Sequence, residues 1–316
     1  MPSTRLSTHL PEFITISPEV RDALASGVPV VALESAVISH GLPMPMGIET
    51  AAAVETDVRR GGAVPATVAV WDGGIQVGAP LSDLSRLAGP GVMKIAERDL
   101  GVAVAQRAVG GTTVSATIAV ASACGIGVVS TGGIGGVHLG AEQTWDVSAD
   151  LPALAGHSVV VVCAGTKAVC DVPKTLEYLD TLGVIVAAYR ADRFPYFYAR
   201  DSGEPAPRRI DTPEEAAAIL EASRALGQRA GMIVAQPIPE AEALQAAMVT
   251  EAVGEAVRRT RHVQGRELTP ALLAALAEIT SGRTLRANVA LLRANASLAA
   301  AVARALHRKG FTGNGT

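Results

Sequence analysis

The sequence predicts an α/β protein, a three-layer α/β/α sandwich around a largely parallel or mixed central sheet. Short apolar runs alternate with alanine-rich helical stretches along the chain, which is typical of this class. Residues 159–163 are apolar at every position, as expected of a central strand buried on both faces. No internal repeat and no strong boundary interrupts the pattern, so we expect residues 1–316 to form a single domain.

The individual elements follow from the positions of apolar runs and turn residues. Residues 28–34 are the expected first core strand, and a helix is expected over residues 47–61. Residues 66–78 predict a hairpin, because an Asp-Gly-Gly turn at residues 72–74 suits a tight reversal. Further strands are expected at residues 125–130 and 184–189, and further helices at 112–123 and 174–182. Residues 202–213 predict a loop, and beyond it helices dominate, interrupted at residues 236–239.

Composition excludes several classes of function. The net charge of −3 and pI near 6.1 supply no basic field for a nucleic-acid polymer, and aromatic residues for base stacking make up only 3%. The three cysteines show no paired spacing, which favours reduced thiols. Residues 1–20 lack a leader-like apolar stretch, and no run of 18 apolar residues occurs, so we expect a cytoplasmic protein without a membrane segment.

A lysine follows the predicted central strand. Lys167 comes directly after Gly165 and Thr166, near the carboxyl end of the strand, where parallel sheets place their chemistry. Desolvation there is expected to lower the pKa of the lysine and yield a neutral, nucleophilic amine. The alternative is a lysine that forms a salt bridge or extends its charge to water.

Carboxylates provide two further candidate sites. Glu34 ends the first predicted strand, where burial is expected to raise its pKa and permit general-acid catalysis; a helix cap or ion-pair partner is the alternative. Asp146 and Asp150 lie four residues apart and suit a hard cation that keeps several waters. Their alternative is the capping of a turn.

The sequence assigns no single role to two groups of residues. One group consists of the glycine and hydroxyl residues at 110–117, 130–138 and 165–167. They form either a phosphate-binding cradle of backbone amides or tight turns, and they match no dinucleotide or P-loop motif. The aromatic cluster at residues 194–198 forms either a packing plug, which we favour, or a lid over a ligand.

Together, these motifs resemble the pseudouridine-5′-phosphate glycosidase family, also called pseudouridylate synthase and related to the indigoidine-cluster A protein. The resemblance extends over residues 14–303. Its matching stretches are residues 32–35, 38–41, 64–67, 110–117, 131–142, 146–150, 163–167, 175–179, 194–195, 288 and 295–296.

The resemblance implies reversible cleavage of the C1′–C5 bond of pseudouridine 5′-phosphate to uracil and ribose 5-phosphate, in pseudouridine catabolism. It implies that Lys167 is the nucleophile that binds C1′, Glu34 the proton donor and Asp146 the protein ligand of one largely hydrated Mn²⁺. It also implies a homotrimer. The implied substrate and pocket residues are Lys94, Val114, Thr131, His138, Ser148, Ala149, Asp150 and Asn288.

The chain departs from the family pattern after Glu34. Ala36 stands where the family usually has Thr, and residues 43–47 read Pro-Met-Pro-Met-Gly where it usually has Pro-Tyr-Pro-Gln-Asn. We expect these changes at Ala36, Met44, Met46 and Gly47 to affect substrate fit more than the chemistry. Two other functions stay open: a Schiff-base lyase or aldolase acting on another sugar phosphate, and a non-catalytic nucleotide-binding protein.

Overall fold

The computed structural model describes residues 10–263 and 268–308. Residues 1–9 lie outside the described residues. The expectation that residues 1–20 contain no leader-like apolar stretch rests partly on them. Among the described residues, 11 strands form a mixed sheet. They are β1 (Ile14–Ile16), β2 (Val30–Leu33), β3 (Val64–Trp71), β4 (Gly74–Val77), β5 (Met93–Ile95), β6 (Gly110–Thr112), β7 (Val128–Ser130), β8 (Val160–Cys163), β9 (Ile185–Tyr189), β10 (Arg209–Ile210) and β11 (Met232–Ala235).

The sheet is largely parallel. Its strand order is β1-β4-β3-β2-β7-β8-β11-β9-β10, with β6 also beside β3 and β5 beside β6. The pairs β3–β4 and β3–β6 are antiparallel, and the other pairs are parallel. Because β2, β7, β8 and β11 run in the same direction, their carboxyl ends meet at one edge of the sheet.

Helices cover both faces of this sheet. In the described part of the chain they are α1 (Pro18–Ser26), α2 (Met46–Arg60), α3 (Leu100–Ala105), α4 (Val114–Ala123), α5 (Ala141–Thr144), α6 (Asp150–Gly156), α7 (Val172–Thr181), α8 (Pro213–Ala225), α9 (Ala246–Arg259), α10 (Leu268–Ile279) and α11 (Arg283–Arg308). On β8, Val160 and Val162 join a core with residues of α2, α8, α9 and α11. Val161 and Cys163 join a second core with residues of α1, α4, α6 and α7. The predicted three-layer sandwich is confirmed.

The hairpin and the central strand are where the sequence predicts them. β3 and β4 pair with Val68 opposite Val77, and Asp72 and Gly73 adopt positive φ values of 57° and 81°, as two-residue hairpin turns require. β8 lies between β7 and β11 and is buried along its whole length. The aromatic cluster is a packing plug, since Phe194, Phe197 and Tyr198 are buried.

Some strands differ from the prediction. β11 lies in the region predicted to be dominated by helices, because four apolar residues between two helical stretches carry no periodicity that distinguishes the two structures. β6 forms from the first glycines of a stretch considered for anion binding. A Cβ at Gly111 would lie 2.8 Å from the Ser35 carbonyl oxygen, so close backbone packing requires this glycine.

The long helix α11 belongs to the core. Within the described residues, Arg283–His307 alone is long and apolar enough to cross a membrane by length and composition, and 56% of its most apolar window is buried inside the protein. Ala287, Leu291, Ala296 and Ala299 on this helix are fully buried and belong to the core built on β8. Packing within the protein therefore explains its apolar composition.

The position of α11 gives a stability prediction. Leu291→Ala is expected to lower the free energy of unfolding by about 2–5 kcal/mol, because the lost methyl groups leave a cavity against the sheet. Leu226, which is 78% exposed, supplies the matched control, and Leu226→Ala should change stability by less than about 0.5 kcal/mol. Urea unfolding of both variants measures the difference, and equal losses would contradict the core position of α11.

Candidate active site

A cavity of about 810 Å³ opens beside the carboxyl ends of the central strands, a size typical of small-molecule sites. Its wall brings together seven of the residues singled out in the sequence. They are Lys94, His138, Asp146, Ser148, Ala149, Asp150 and Lys167. They come from β5, from the loops that follow β7 and β8, and from the first residue of α6, so the strand order explains how distant segments meet here.

Four predicted residues do not line this cavity: Glu34, Val114, Thr131 and Asn288. Glu34 is nevertheless part of the same charged cluster, since it interacts electrostatically with Lys167, Asp150 and Lys94. Its carboxylate accepts a hydrogen bond from the Thr131 hydroxyl. The Val114 side chain is fully buried, and Asn288 is buried on α11. The side chains of Val114 and Asn288 are therefore buried and are not part of the cavity wall.

Lys167 is held at the carboxyl edge by the loop after β8. Its backbone N–H donates to the Ile134 carbonyl, 2.8 Å away. Gly165 has φ 84°, and a Cβ there would meet the carbonyl of Pro195, so this turn requires glycine. The chain thus leaves the sheet in a fixed direction, with Lys167 in the cavity wall.

The expected lowering of the Lys167 pKa is wrong for the ligand-free protein. Burial alone lowers this pKa, but attraction to the Asp150 and Glu34 carboxylates outweighs burial and holds the pKa above its usual range. The resting amine is therefore an ammonium ion. Attack on a carbon atom requires that a nearby group first remove its proton.

Glu34 behaves as the sequence predicts. Burial raises its pKa above the usual range, although the Lys167 charge and the Thr131 hydrogen bond partly offset this effect. A carboxyl group with a raised pKa can act as a proton donor nearer neutral pH. The charges of Glu34 and Lys167 attract one another, so the protonation state of each group affects that of the other.

Asp150 organises the backbone around the lysine. Its Oδ1 accepts the Ser115 N–H at 2.9 Å and its Oδ2 accepts the Gly135 N–H at 2.8 Å. The carboxylate thereby caps the N-terminus of α4 and joins it to the loop after β7. The same charge attracts Lys167, so Asp150 both fixes the cavity wall and stabilises the ammonium ion.

Asp146 and His138 form a more open group in the cavity wall. His138 Nδ1 lies 3.8 Å from Asp146 Oδ2, and the Asp146 side chain is 46% exposed. Burial lowers the pKa of His138; attraction to Asp146 opposes this shift, and the charges of Lys167 and Lys94 reinforce it. The described residues contain no group of three His, Cys, Asp or Glu side chains that could hold a metal. A single exposed carboxylate fits a weakly held hard cation that keeps most of its waters.

The sequence interpretation missed several cavity residues. The missed residues are Arg98, Arg261 and Trp145. Thr113 and Ser115 also line the cavity, but they belong to the stretch at residues 110–117 that was singled out in the sequence. Arg98 follows a strand that was not foreseen, and Arg261 follows a helix distant in sequence, so no local pattern marks either as a site residue. Trp145 is 85% exposed and directly precedes Asp146, and its exposure becomes visible only in the folded chain.

The departures from the family pattern lie outside the cavity wall. Ala36 is buried, while Met44 is exposed. A Cβ at Gly47 would lie 3.1 Å from the Ile38 carbonyl oxygen, so a larger residue at this position requires a small backbone shift. These residues all lie in the segment that follows Glu34 in the chain, so they affect the conformation of this segment and do not contact a ligand in the cavity directly.

The fold and the cavity define an α/β enzyme with a lysine and two carboxylates at the carboxyl edge of its sheet. Residues 19–305 match the family described as indigoidine synthase A like protein. The chain belongs to this family.

Curated relatives support an enzymatic role. The chain is 50% identical over 296 residues to a pseudouridine-5′-phosphate glycosidase of Methylobacterium nodulans, covering 93% of this chain and 88% of the relative. It is 48% identical over 291 residues to pseudouridine-5′-phosphate glycosidase 2 of Rhizobium johnstonii, covering 91% and 94%. Both alignments span nearly the whole of each protein.

Solved structures share the fold. One is the prealnumycin C-glycosynthase AlnA in complex with ribulose 5-phosphate, with a TM-score of 0.87, 36% identity and coverage of 95% of this chain and 98% of that chain. Another is an indigoidine synthase A-like protein from Thermotoga maritima, with a TM-score of 0.87, 34% identity and coverage of 96% and 100%. The likeness therefore includes the cavity region.

Proposed function

We propose that the protein reversibly cleaves the C1′–C5 bond of pseudouridine 5′-phosphate, giving uracil and ribose 5-phosphate. The observation that carries the proposal is the position of Lys167 in the cavity wall with Asp146 and Asp150, where the buried Glu34 also interacts electrostatically with the lysine. The activities named for the relatives supply the substrate.

A carbon leaving group explains the need for an amine. Ordinary glycosidases protonate a leaving oxygen or nitrogen, whereas C5 of uracil has no lone pair to protonate. Lys167 forms a bond to C1′ as the C1′–O4′ bond opens and the ring oxygen takes a proton. The C1′–C5 bond then breaks, its electron pair goes to C5, and C5 takes a proton. The resulting iminium between Lys167 and C1′ is hydrolysed by water to release ribose 5-phosphate.

Proton movement between Glu34 and Lys167 prepares this reaction. The carboxylate of Glu34 takes a proton from the Lys167 ammonium, which leaves a neutral amine and a neutral carboxyl group. The total number of protons on the pair is unchanged, so no exchange with solvent is needed. Glu34 then returns the proton to the ring oxygen or to C5 of uracil. Both destinations are hypotheses, which solvent isotope effects can separate from one another.

The central assay follows uracil release from pseudouridine 5′-phosphate with and without Mn²⁺. Release of uracil together with ribose 5-phosphate supports the proposal. Intact substrate after prolonged incubation with a folded, substrate-binding protein would instead favour a nucleotide-binding function.

Mn²⁺ is proposed as the cofactor, with Asp146 as its protein ligand and water at most other positions. When bound, a divalent cation would offset negative charge on the phosphorylated substrate. We expect Asp146→Asn to remove the stimulation of turnover by Mn²⁺ and to weaken Mn²⁺ binding by about tenfold or more. Manganese titration by electron paramagnetic resonance measures binding independently of turnover.

Glu142 supplies the control for this prediction. Its side chain is exposed and pairs with Lys174, and it does not line the cavity. Glu142→Gln should keep Mn²⁺ binding within about twofold of the unmodified protein. Unchanged Mn²⁺ affinity in Asp146→Asn would exclude Asp146 as the ligand.

A Schiff-base lyase or aldolase on another sugar phosphate is the second candidate. It gains support from the neighbour whose structure contains ribulose 5-phosphate, since the same lysine chemistry suits such a substrate. Incubation with ribose 5-phosphate and uracil separates the candidates, because the glycosidase alone is expected to form the C-nucleotide.

Assembly and cellular context are parts of the same proposal. We propose a cytoplasmic homotrimer that acts in pseudouridine catabolism. Sedimentation velocity of the purified protein tests the trimer, and a single monomeric species would contradict it.

A further inference from the structure

We propose that a small chamber beside Glu34 binds one water molecule, and that this water holds the Glu34 carboxyl group in place for proton transfer. The chamber is bordered by Glu34, Thr50, Thr67 and Ser130, among others, and it shares no lining residue with the large cavity. The inference rests on the proposed function for the role of Glu34. It makes the Thr50 and Ser130 hydroxyls positioning groups, which act on the reaction through Glu34.

The floor of the chamber is a row of three residues on neighbouring strands. Leu33 on β2 is in register with Thr67 on β3 and with Ser130 on β7, so the three side chains face the same side of the sheet. Leu33 belongs to the core that contains residues of α2 and α11, which identifies that side. Thr50 of α2 and Leu292 of α11 border the chamber from this helical layer.

The chamber has the size of a water site. Its volume is about 20 Å³, and a cavity of roughly 10–15 Å³ is enough for one water molecule. Sites for organic ligands are far larger, typically about 300–1,000 Å³. The volume therefore admits water and excludes a pyrimidine, a sugar or a phosphate.

Two buried hydroxyl groups of the wall need a hydrogen-bond partner. Thr50 and Ser130 are each 4% exposed and line the chamber. Within residues 10–263 and 268–308, neither hydroxyl forms a hydrogen bond to another residue. A buried polar group without a partner is costly, and ordered water is a common partner where no protein group is within reach. The Thr67 hydroxyl differs, since it donates to Glu55 at 2.6 Å.

The donors and acceptors around the chamber balance for one water molecule. The Ser130 and Thr50 hydroxyls can both donate to the water oxygen. Thr67 uses its own hydrogen elsewhere, so its oxygen can accept one hydrogen of the water. The Glu34 carboxylate can accept the other, because in the described part of the chain its one hydrogen-bond donor is the Thr131 hydroxyl. The water then has four partners, and a buried water typically needs about two to four.

A water that donates to Glu34 restricts the rotation of the carboxyl group and favours its charged form. The other charged groups that act on Glu34 are Lys167, Asp150 and Lys94. The two lysines favour the charged form and Asp150 opposes it. None of these three residues lines the chamber. Removal of the water should therefore alter Glu34 while the large cavity keeps its charges.

The kinetic test compares Thr50→Val with Thr50→Ser and Thr56→Val. Valine keeps the shape of threonine without the hydroxyl, and kcat for uracil release should fall about tenfold, with KM within about twofold. The acid limb of the kcat/KM profile should move to higher pH, because loss of a donor to the Glu34 carboxylate favours its protonated form. Thr50→Ser keeps the hydroxyl and should restore both values. Thr56 lies on the exposed face of α2, so Thr56→Val should keep kcat within about twofold.

Ser130→Ala removes the second hydroxyl and should give the same fall in kcat and the same shift of the acid limb, which keeps the test valid if Thr50→Val does not fold. High-resolution crystal structures supply the direct observation. The unmodified protein should show one ordered water in the chamber, and Thr50→Val should show none. A chamber without water in the unmodified protein, or unchanged kcat and acid limb in both variants, would overturn the inference. The water is observed without turnover, so absence of uracil release in the unmodified protein would instead contradict the proposed reaction.

Discussion

Lys167→Ala is expected to reduce uracil release by at least about a thousandfold, because the proposed mechanism requires a covalent bond between this lysine and C1′. The variant should fold, since the lysine side chain lies in the cavity wall and its backbone hydrogen bond to Ile134 is retained. Initial rates of uracil release measure the effect, and circular dichroism confirms the fold.

Lys174→Ala is the matched control for this variant. Lys174 is on α7 and pairs at the surface with Glu142 and Asp171, so its removal should leave turnover within about twofold. Retention of more than about 5% of activity in Lys167→Ala would contradict the role of Lys167 as nucleophile.

Glu34→Gln is expected to lower kcat by about a hundredfold to ten-thousandfold, the usual range for loss of a general acid or base. Glutamine keeps the shape of the side chain and can still accept the hydrogen bond from Thr131, so the loss reports proton transfer. Steady-state kinetics of uracil release measure it.

Glu55→Gln is a demanding control for Glu34→Gln. Glu55 is also buried, burial likewise raises its pKa, and it accepts a 2.6 Å hydrogen bond from Thr67. Its charged neighbours are Arg59 and Glu19 and not Lys167. This variant should retain kcat within about threefold. Equal losses of kcat in both variants at unchanged stability would assign the effect of Glu34→Gln to packing.

The coupled pair also sets the direction of the pH dependence. In the proposed mechanism, the active form carries one proton on Glu34 and Lys167 together, so activity should fall at low pH when the pair gains a second proton and at high pH when it loses its last one. Both pKa values are raised, which shifts both limbs to higher pH. Glu34→Gln should remove the acid limb of the kcat/KM profile.

Much of the fold follows directly from the sequence. A continuous apolar run is sufficient to place β8, and an Asp-Gly-Gly turn is sufficient to place the β3–β4 hairpin. β11 was missed because a four-residue apolar run has no decisive period. The short strands β1 and β5 become strands only through pairing with partners distant in the chain.

The site was predicted less completely, and the reason is physical. Residue type and position relative to strand ends indicate Lys167 and Glu34, because such positions recur in parallel sheets. The pKa of Lys167 depends on Asp150, whose proximity is created by the packing of α6 against the loop after β7. Arg98 and Arg261 belong to the cavity for the same reason, since tertiary packing alone brings their segments together.

Borohydride trapping followed by peptide mass spectrometry tests the central claim most directly. The chain has four lysines, Lys94, Lys167, Lys174 and Lys309, so the modified peptide identifies the nucleophile. Incubation with ribose 5-phosphate and borohydride should add one reduced pentose phosphate, on Lys167 alone. A pentose adduct on another lysine, or an unmodified Lys167 in protein that turns over the substrate, would contradict the account.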